Sequence, residues 1–376
     1  MAGIYIHIPF CKQACSYCDF HFSTSLKNKK TLVDCICREV EMRKEYLQSA
    51  AVKSIYFGGG TPSLLQSDEI KKILDAIYQM HVVEADVELS FEVNPDDIDS
   101  KKLKELSNLG VNRLSIGIQS FHKEDLQLMN RAHNVEKAHS SIQDSLDAGF
   151  ENISIDLIYG SPTTSNQMWE DNLMHFFNYN LPHLSSYCLS IEDKTALQHQ
   201  IKTGKVPKPS DEKASEQFEM LQKMIAENHY EQYEVSNFCR DGLYSKHNTC
   251  YWNNTNYLGL GPSAHSFNGF SRQHNIANNS RYIKSISKGE TLVELELLSP
   301  RDRLNEYVMT NLRTKWGIDL AYIKKTFPTS LTNEFFKILR GDIFGEMCVV
   351  EADVLKIQPS KFLYTDKLIR ELFLLE

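Results

Sequence analysis

The feature that most narrows the fold is a repeated unit, an alternating apolar segment followed by a helical one. Alternating segments lie at 4–8, 52–57, 86–93, 112–119, 152–158 and 184–190, and helical spacing fills 28–49, 67–80, 100–109, 134–148 and 166–178 between them. Six strands separated by helices predict a parallel sheet, because each crossover returns the chain to the same end of the sheet. Six units instead of eight predict an incomplete (β/α)6 barrel, an α/β fold open on one side.

Strands buried on both faces read as continuous apolar runs, and these do not. Leu89 and Phe91 alternate with Ser90 and Glu92, Ile116 and Ile118 with Gly117 and Gln119, and Ile155 and Leu157 with Ser154 and Asp156. A sheet with one face in solvent would give the same pattern. Each strand precedes a helix that must pack on its outer face, however, so the polar face is expected to point inward. Glu92, Gln119 and Asp156 then stand near the C-terminal strand ends of a ligand-binding lumen.

The first strand runs directly into three cysteines. Ile4, Ile6 and Ile8 alternate with Tyr5 and His7, Pro9 ends the strand, and Cys11, Cys15 and Cys18 follow with C-x3-C-x2-C spacing. Three thiolates on one short loop can converge on a metal centre without the rest of the fold. Structural zinc needs a fourth closed ligand, which would have to be His7, Asp19, His21 or something distant. An iron–sulfur cluster held by three Cys leaves one iron without a protein ligand and open to substrate, and the spacing favours it.

Other candidates are weaker alone. Gly58-Gly59-Gly60-Thr61-Pro62 leaves a strand end, where glycines let backbone approach a ligand, although such a stretch is as often a plain turn. Glu92, as a lone strand carboxylate, is more often part of a salt bridge than a ligand contact, and Arg131 reads alone as a solvated helix-end cation. His247, near Tyr251 and Trp252, fits a porphyrin site in which aromatics cover the ring and an imidazole ligates iron. Cys250 and His265 are alternative iron ligands.

Composition bounds the rest. A net charge of −8 over 376 residues argues against bulk nucleic-acid binding. No stretch has the run of apolar residues a transmembrane helix needs, which leaves only a peripheral membrane contact open. Nine Cys, an odd number with three in a metal-type motif, fit a reducing cytoplasm better than a disulfide framework. With Met1-Ala2-Gly3 alone ahead of the first strand, no signal peptide is expected. The pattern divides at 1–190 (barrel), 191–294 (linker or lid and an Asn-, Tyr- and Gly-rich stretch packed on the barrel) and 295–376 (a small, mainly helical C-terminal domain).

The cysteine spacing resembles the signature of the radical S-adenosylmethionine (SAM) superfamily, in which the open iron of a 4Fe–4S cluster chelates the amino and carboxylate groups of SAM. Tyr5, Tyr17, Gly59, Gly60, Thr61, Glu92, Gln119, Arg131 and Asp156 fall where the coproporphyrinogen III dehydrogenase family places its SAM contacts. That resemblance implies a radical SAM barrel with a smaller C-terminal domain. The family's true dehydrogenases use a 5′-deoxyadenosyl radical and carry a further Cys where this chain has Phe20, and an extra segment ahead of the first strand. The chain is more similar to the haem-chaperone branch, which carries a His-Asn-x-x-Tyr-Trp motif, here His247-Asn248-Thr249-Cys250-Tyr251-Trp252. The resemblance therefore implies a 4Fe–4S cluster, SAM, haem held near His247, and haem-accepting proteins as partners.

Overall fold

The structure, a computed structural model, describes residues 1–375. β1 (Ala2–Ile8), β2 (Val52–Gly59), β3 (Val83–Val93), β4 (Arg113–Gln119), β5 (Ile153–Tyr159) and β6 (His183–Cys188) lie side by side in sequence order, every neighbouring pair parallel. The crossovers are α1 (Lys29–Met42), α2 (Ser67–Met80), α3 (Ser100–Asn108), the pair α4 (Lys123–Leu128) and α5 (Val135–Asp147), and α6 (Asn166–Asn178). Local chemistry starts several of them. Asp99, Asn134 and Ser165 accept hydrogen bonds from the backbone N–H groups of Lys102, Lys137 and Met168, satisfying first-turn donors.

The expected two-faced strands are present. Phe91, Ile116, Ile118, Ile155 and Leu157 are fully buried and share one core with Ile73, Leu103, Ile142 and Phe176 of the crossover helices. Burying each such side chain stabilises the fold by about 1.5–3 kcal/mol. Their polar neighbours turn to the inside of the curve. The helix expected over 28–49 stops at Met42, and the rest of that stretch is turn, with Gln48 and Ser49 at positive φ. Arg43 there bonds the carbonyl of Gly259 and the side chains of Ser266 and Gln273.

The sheet does not close; it grows at both ends. After α7 (Ala196–Lys202) and α8 (Asp211–Glu227), β7 (Glu231–Gln232) and β8 (Asn237–Cys239) extend it antiparallel beyond β6. The chain then forms α9 (Lys246–Trp252) and returns to the other edge. There β9 (Asn256–Leu260) pairs parallel with β1, and β10 (His265–Phe267), β11 (Ser271–Asn275) and, after α10 (Asn279–Ser287), β12 (Val293–Leu297) follow antiparallel. The Asn-, Tyr- and Gly-rich stretch, residues 230–270, in which no regular element is expected from the sequence, thus supplies four short strands and a helix. Two- to five-residue strands are too short to show a period of their own, and their register comes from distant partners.

The last region packs α11 (Pro300–Leu312), α12 (Leu320–Thr326), α13 (Thr329–Leu339), α14 (Asp342–Met347) and α15 (Thr365–Leu372) with a three-stranded sheet. That sheet consists of β13 (Ile318–Asp319), β14 (Cys348–Glu351) and β15 (Val354–Ile357). The β14–β15 turn places Ala352 and Asp353 at positive φ without the Asn-Gly pair that would announce it.

Candidate active site and its cavity

A cavity of about 1010 Å³ occupies the barrel lumen and opens past the loop after β1. Its walls include Cys11, Cys15, Cys18, Tyr5, Tyr17, Gly59, Gly60, Thr61, Glu92, Gln119, Arg131, Asp156 and His247. All thirteen candidates taken from the sequence therefore face one space. His265 also lines it, and Cys250 does not.

Pro9 breaks β1, and the cysteine loop is then pinned from three sides. Its base is closed by Ser23, whose N–H donates to the Pro9 carbonyl at 2.9 Å while its own carbonyl accepts from Cys11 N–H at 3.1 Å. Its middle rests on the corner after α4. Ser16 donates from backbone to Met129 and from its hydroxyl to Leu128, and Asn130 donates from Nδ2 to the Ala14 carbonyl at 2.7 Å. Leu197, on α7 in the stretch expected to be linker or lid, donates its N–H to the Ser16 carbonyl at 2.7 Å. Tyr17 packs against the small apolar cluster of Met129, Ile158, Leu189 and Leu197.

Arg131 is not a solvated helix-end cation. Its Nη2 donates to Asn94 Oδ1 and to the Gly117 carbonyl, both at 2.8 Å, its Nη1 reaches Cys15 Sγ at 3.2 Å, and its buried Nε has no partner among the described residues. Burial opposes its charge, but Tyr17 and Cys15 hold its pKa above the usual value. Burial pushes the Cys18 thiol up to about 11 and raises Cys11, to which Thr61 offers a hydrogen bond. Metal binding at these sulfurs would accordingly release protons. No three His, Cys, Asp or Glu side chains among the described residues stand close enough to hold a single ion. A cluster, with one thiolate to each of three irons, does not require that.

The glycine run serves packing first. A Cβ on Gly59 (φ +106°) would come within 2.6 Å of the His7 ring, and one on Gly60 within 2.7 Å of the Phe10 carbonyl, so both allow β2 to end against the cysteine loop. Glu92 is oriented by Tyr56 OH at 2.8 Å and Gly59 N–H at 3.1 Å. Burial pushes its pKa up to about 7 despite those two bonds, and pushes Asp156 up to about 6. Asp156 accepts from Ser115 Oγ at 3.3 Å. Gln119 sits at φ +69° where the β4–β5 register shifts, a strained position for a side chain that points at a ligand space. The sequence reading left Arg113 without a role. It is 1% exposed and lines the cavity, and among the described residues its Nε has no partner and its one side-chain hydrogen bond is a long 3.5 Å approach to His183. The alternation of β4 placed it on the inward face.

The opposite end is plugged by α9. Glu88 accepts from the backbone N–H groups of Lys246 and His247, docking the start of that helix onto β3. His247 is 1% exposed, with Ser54 Oγ at 2.9 Å from Nδ1 and Tyr251 OH at 3.0 Å from Nε2. Its ring stacks near those of Tyr56 and Tyr5, and burial lowers its pKa to about 3, so it stays neutral. Trp252 faces the C-terminal region instead, with Arg313 5.8 Å from its ring centroid.

The lumen, the loop of three thiols and the parallel sheet define a radical SAM protein. The model of the radical SAM superfamily matches residues 5–175. The chain is 32% identical over 343 residues to “Heme chaperone HemW” of Lactococcus lactis, covering 91% of this chain and 88% of that protein. It is equally 32% identical to the Bacillus subtilis protein of the same name, with 90% of each covered. The fold matches the radical SAM enzyme coproporphyrinogen III oxidase (HemN) of Escherichia coli with a TM-score of 0.86 at 22% identity, over 99% of this chain and 90% of that one. The chain belongs to the radical SAM superfamily and, within it, to the HemW family. Membership implies a 4Fe–4S cluster and SAM, and the donor set fits both: three soft sulfurs on one loop, with a buried guanidinium and two buried carboxylates facing the same space. No helix among the described residues is long and apolar enough to cross a membrane.

Proposed function

We propose that the chain is a haem chaperone that holds a 4Fe–4S cluster through Cys11, Cys15 and Cys18, binds SAM beside it, and holds haem for delivery to acceptor proteins. One observation carries the reading: the thiols, the SAM-contact candidates and the His247–Tyr251 motif line a single cavity. At about 1010 Å³ it lies at the upper end of the range for small-molecule sites. When bound, the cluster with SAM supplies one-electron chemistry. The chain's own residues position and shield. Tyr5, Tyr17, Gly59, Gly60 and Thr61 shape the wall next to the sulfurs. Arg131 meets a carboxylate, Glu92 takes ribose hydroxyls, and Gln119 and Asp156 make polar contacts along the strand ends. Phe20, where the dehydrogenases carry a cysteine, stands against turnover of coproporphyrinogen.

The deciding experiment assays haem binding and coproporphyrinogen III conversion side by side on anaerobically reconstituted protein. Haem uptake with no conversion, even with SAM and a strong reductant, is expected. Conversion without haem uptake would instead make the chain an oxygen-independent coproporphyrinogen III dehydrogenase.

A further inference from the structure

We propose that the imidazole that ligates haem iron is His265, on the exposed rim of the cavity, and that the buried His247 braces the cavity wall and is not an iron ligand. This rests on the haem-chaperone reading above. Four imidazoles line the cavity: His7, His21, His247 and His265. A metal takes the lone pair of a ring nitrogen that is not already engaged. His7 has both nitrogens engaged, Nδ1 by Tyr5 OH at 3.2 Å and Nε2 by the His21 carbonyl at 2.9 Å. His247 likewise has both engaged, by Ser54 and Tyr251. His21 has Nε2 on Asn279 Oδ1 at 2.8 Å, which leaves only Nδ1 without a hydrogen bond among the described residues, on a half-buried ring. Among the described residues, neither nitrogen of His265 makes a hydrogen bond, and its side chain is exposed. For His247 to bind iron it would have to leave a buried hydroxyl without its partner, at a cost of about 1–3 kcal/mol.

The mounting of His265 suits a ligand. It opens β10 directly opposite His274 on β11, and the two rings stack with centroids 5.2 Å apart. His274 in turn meets Glu294 on β12 at 3.2 Å. Behind His265 the backbone is held tightly, since a Cβ on Gly259 would come within 2.1 Å of the His265 carbonyl oxygen. The buried Arg43 fixes the same hairpin by donating to the Gly259 carbonyl and to Ser266 Oγ.

The surroundings point the same way. Phe20, 67% exposed, and Phe22 line the cavity together with His265. A large aromatic left to water in a cavity that also presents an open imidazole is what a flat porphyrin face would cover. The floor around His247 is crowded by the Tyr5 and Tyr56 rings, with the Glu92 carboxyl bonded to Tyr56 OH and the Arg113 guanidinium near enough to disfavour a charge on the imidazole. That is a poor bed for an apolar macrocycle.

The test titrates haemin into the full chain and into His265→Ala, His247→Ala and His21→Ala, following the optical and electron-paramagnetic signature of imidazole-ligated iron. His265→Ala is expected to lose that signature and weaken affinity at least about tenfold, and free imidazole should restore the signature. His247→Ala is expected to keep it. An unchanged signature in His265→Ala, or its loss in His247→Ala or His21→Ala while His265→Ala retains it, overturns the assignment and leaves the chaperone reading standing. If the unmodified chain takes up no haem, the chaperone reading fails, and the assignment falls with it.

Discussion

At the cysteine end of the cavity the functional groups are supported from behind and left free in front, whereas at the α9 end they are bonded to one another. The loop of Cys11, Cys15 and Cys18 is tied down through Ser16, Asn130 and Ser23, none of which is a thiol, and the sulfurs bear only the approaches of Arg131 to Cys15 and Thr61 to Cys11. His247, Tyr251 and Ser54 satisfy each other, and Glu88 docks the helix that carries two of them. The first arrangement is what a binding surface needs. The second is what a plug needs, because buried polar groups are tolerated only when paired. A motif can therefore lie beside a ligand space and still serve mainly to shape it.

The comparison breaks most visibly at the thiols. Cys15→Ser should remove essentially all iron–sulfur absorbance after anaerobic reconstitution, since three ligands leave none to spare. Cys35→Ser and Cys348→Ser, both outside the cavity, should retain it. Four irons per chain in Cys15→Ser would show that the loop is not the cluster site.

Smaller effects are expected along the strand ends. Glu92→Ala and Asp156→Ala should each weaken SAM binding about tenfold or more, as for a hydrogen bond to a charged group worth roughly 1.5–3 kcal/mol, with iron content unchanged. Equilibrium dialysis of the reconstituted variants measures this. Equal affinity in both variants would reduce the inward carboxylates to structural groups.

The same carboxylate sets a pH dependence in the ligand-free protein. Glu92 binds its proton more tightly folded than unfolded, so its contribution to stability is fully present below about 4.5 and is lost as pH rises through about 7. Glu92→Gln keeps an acceptor for Tyr56 and Gly59 but cannot ionise. It should flatten the fall in stability between pH 4.5 and 8 by about 3 kcal/mol, read from urea unfolding at several pH values. A variant whose pH profile matches the parent chain would place the titrating group elsewhere.

The smallest effect lies at the floor. Ser54→Ala removes the partner of His247 Nδ1 and should destabilise the fold by about 1–2 kcal/mol while sparing iron and SAM binding. Loss of SAM affinity in this variant would mean that the two ends are coupled through the stacked Tyr5, Tyr56 and His247 rings.

Local pattern alone determined the six strands and their helices, the inward turn of Glu92, Gln119 and Asp156, and the loop of three thiols. Each of these depends on interactions a few residues apart: a period of two, a helix cap, a proline after a strand, a short cysteine spacing. The family resemblance carried the reading further, to the particular residues around SAM. Only the tertiary structure decided that 230–297 completes the sheet on both flanks, that Arg131 is buried against Cys15 and Asn94, and that Arg113 stands in the lumen with scarcely a partner. It alone showed that, among the described residues, both ring nitrogens of His247 have partners while neither of His265 does. The reason is physical. Strands of two to five residues take their register from partners far along the chain, and the hydrogen-bonding state of an imidazole is set by neighbours such as Ser54, 193 positions away from His247.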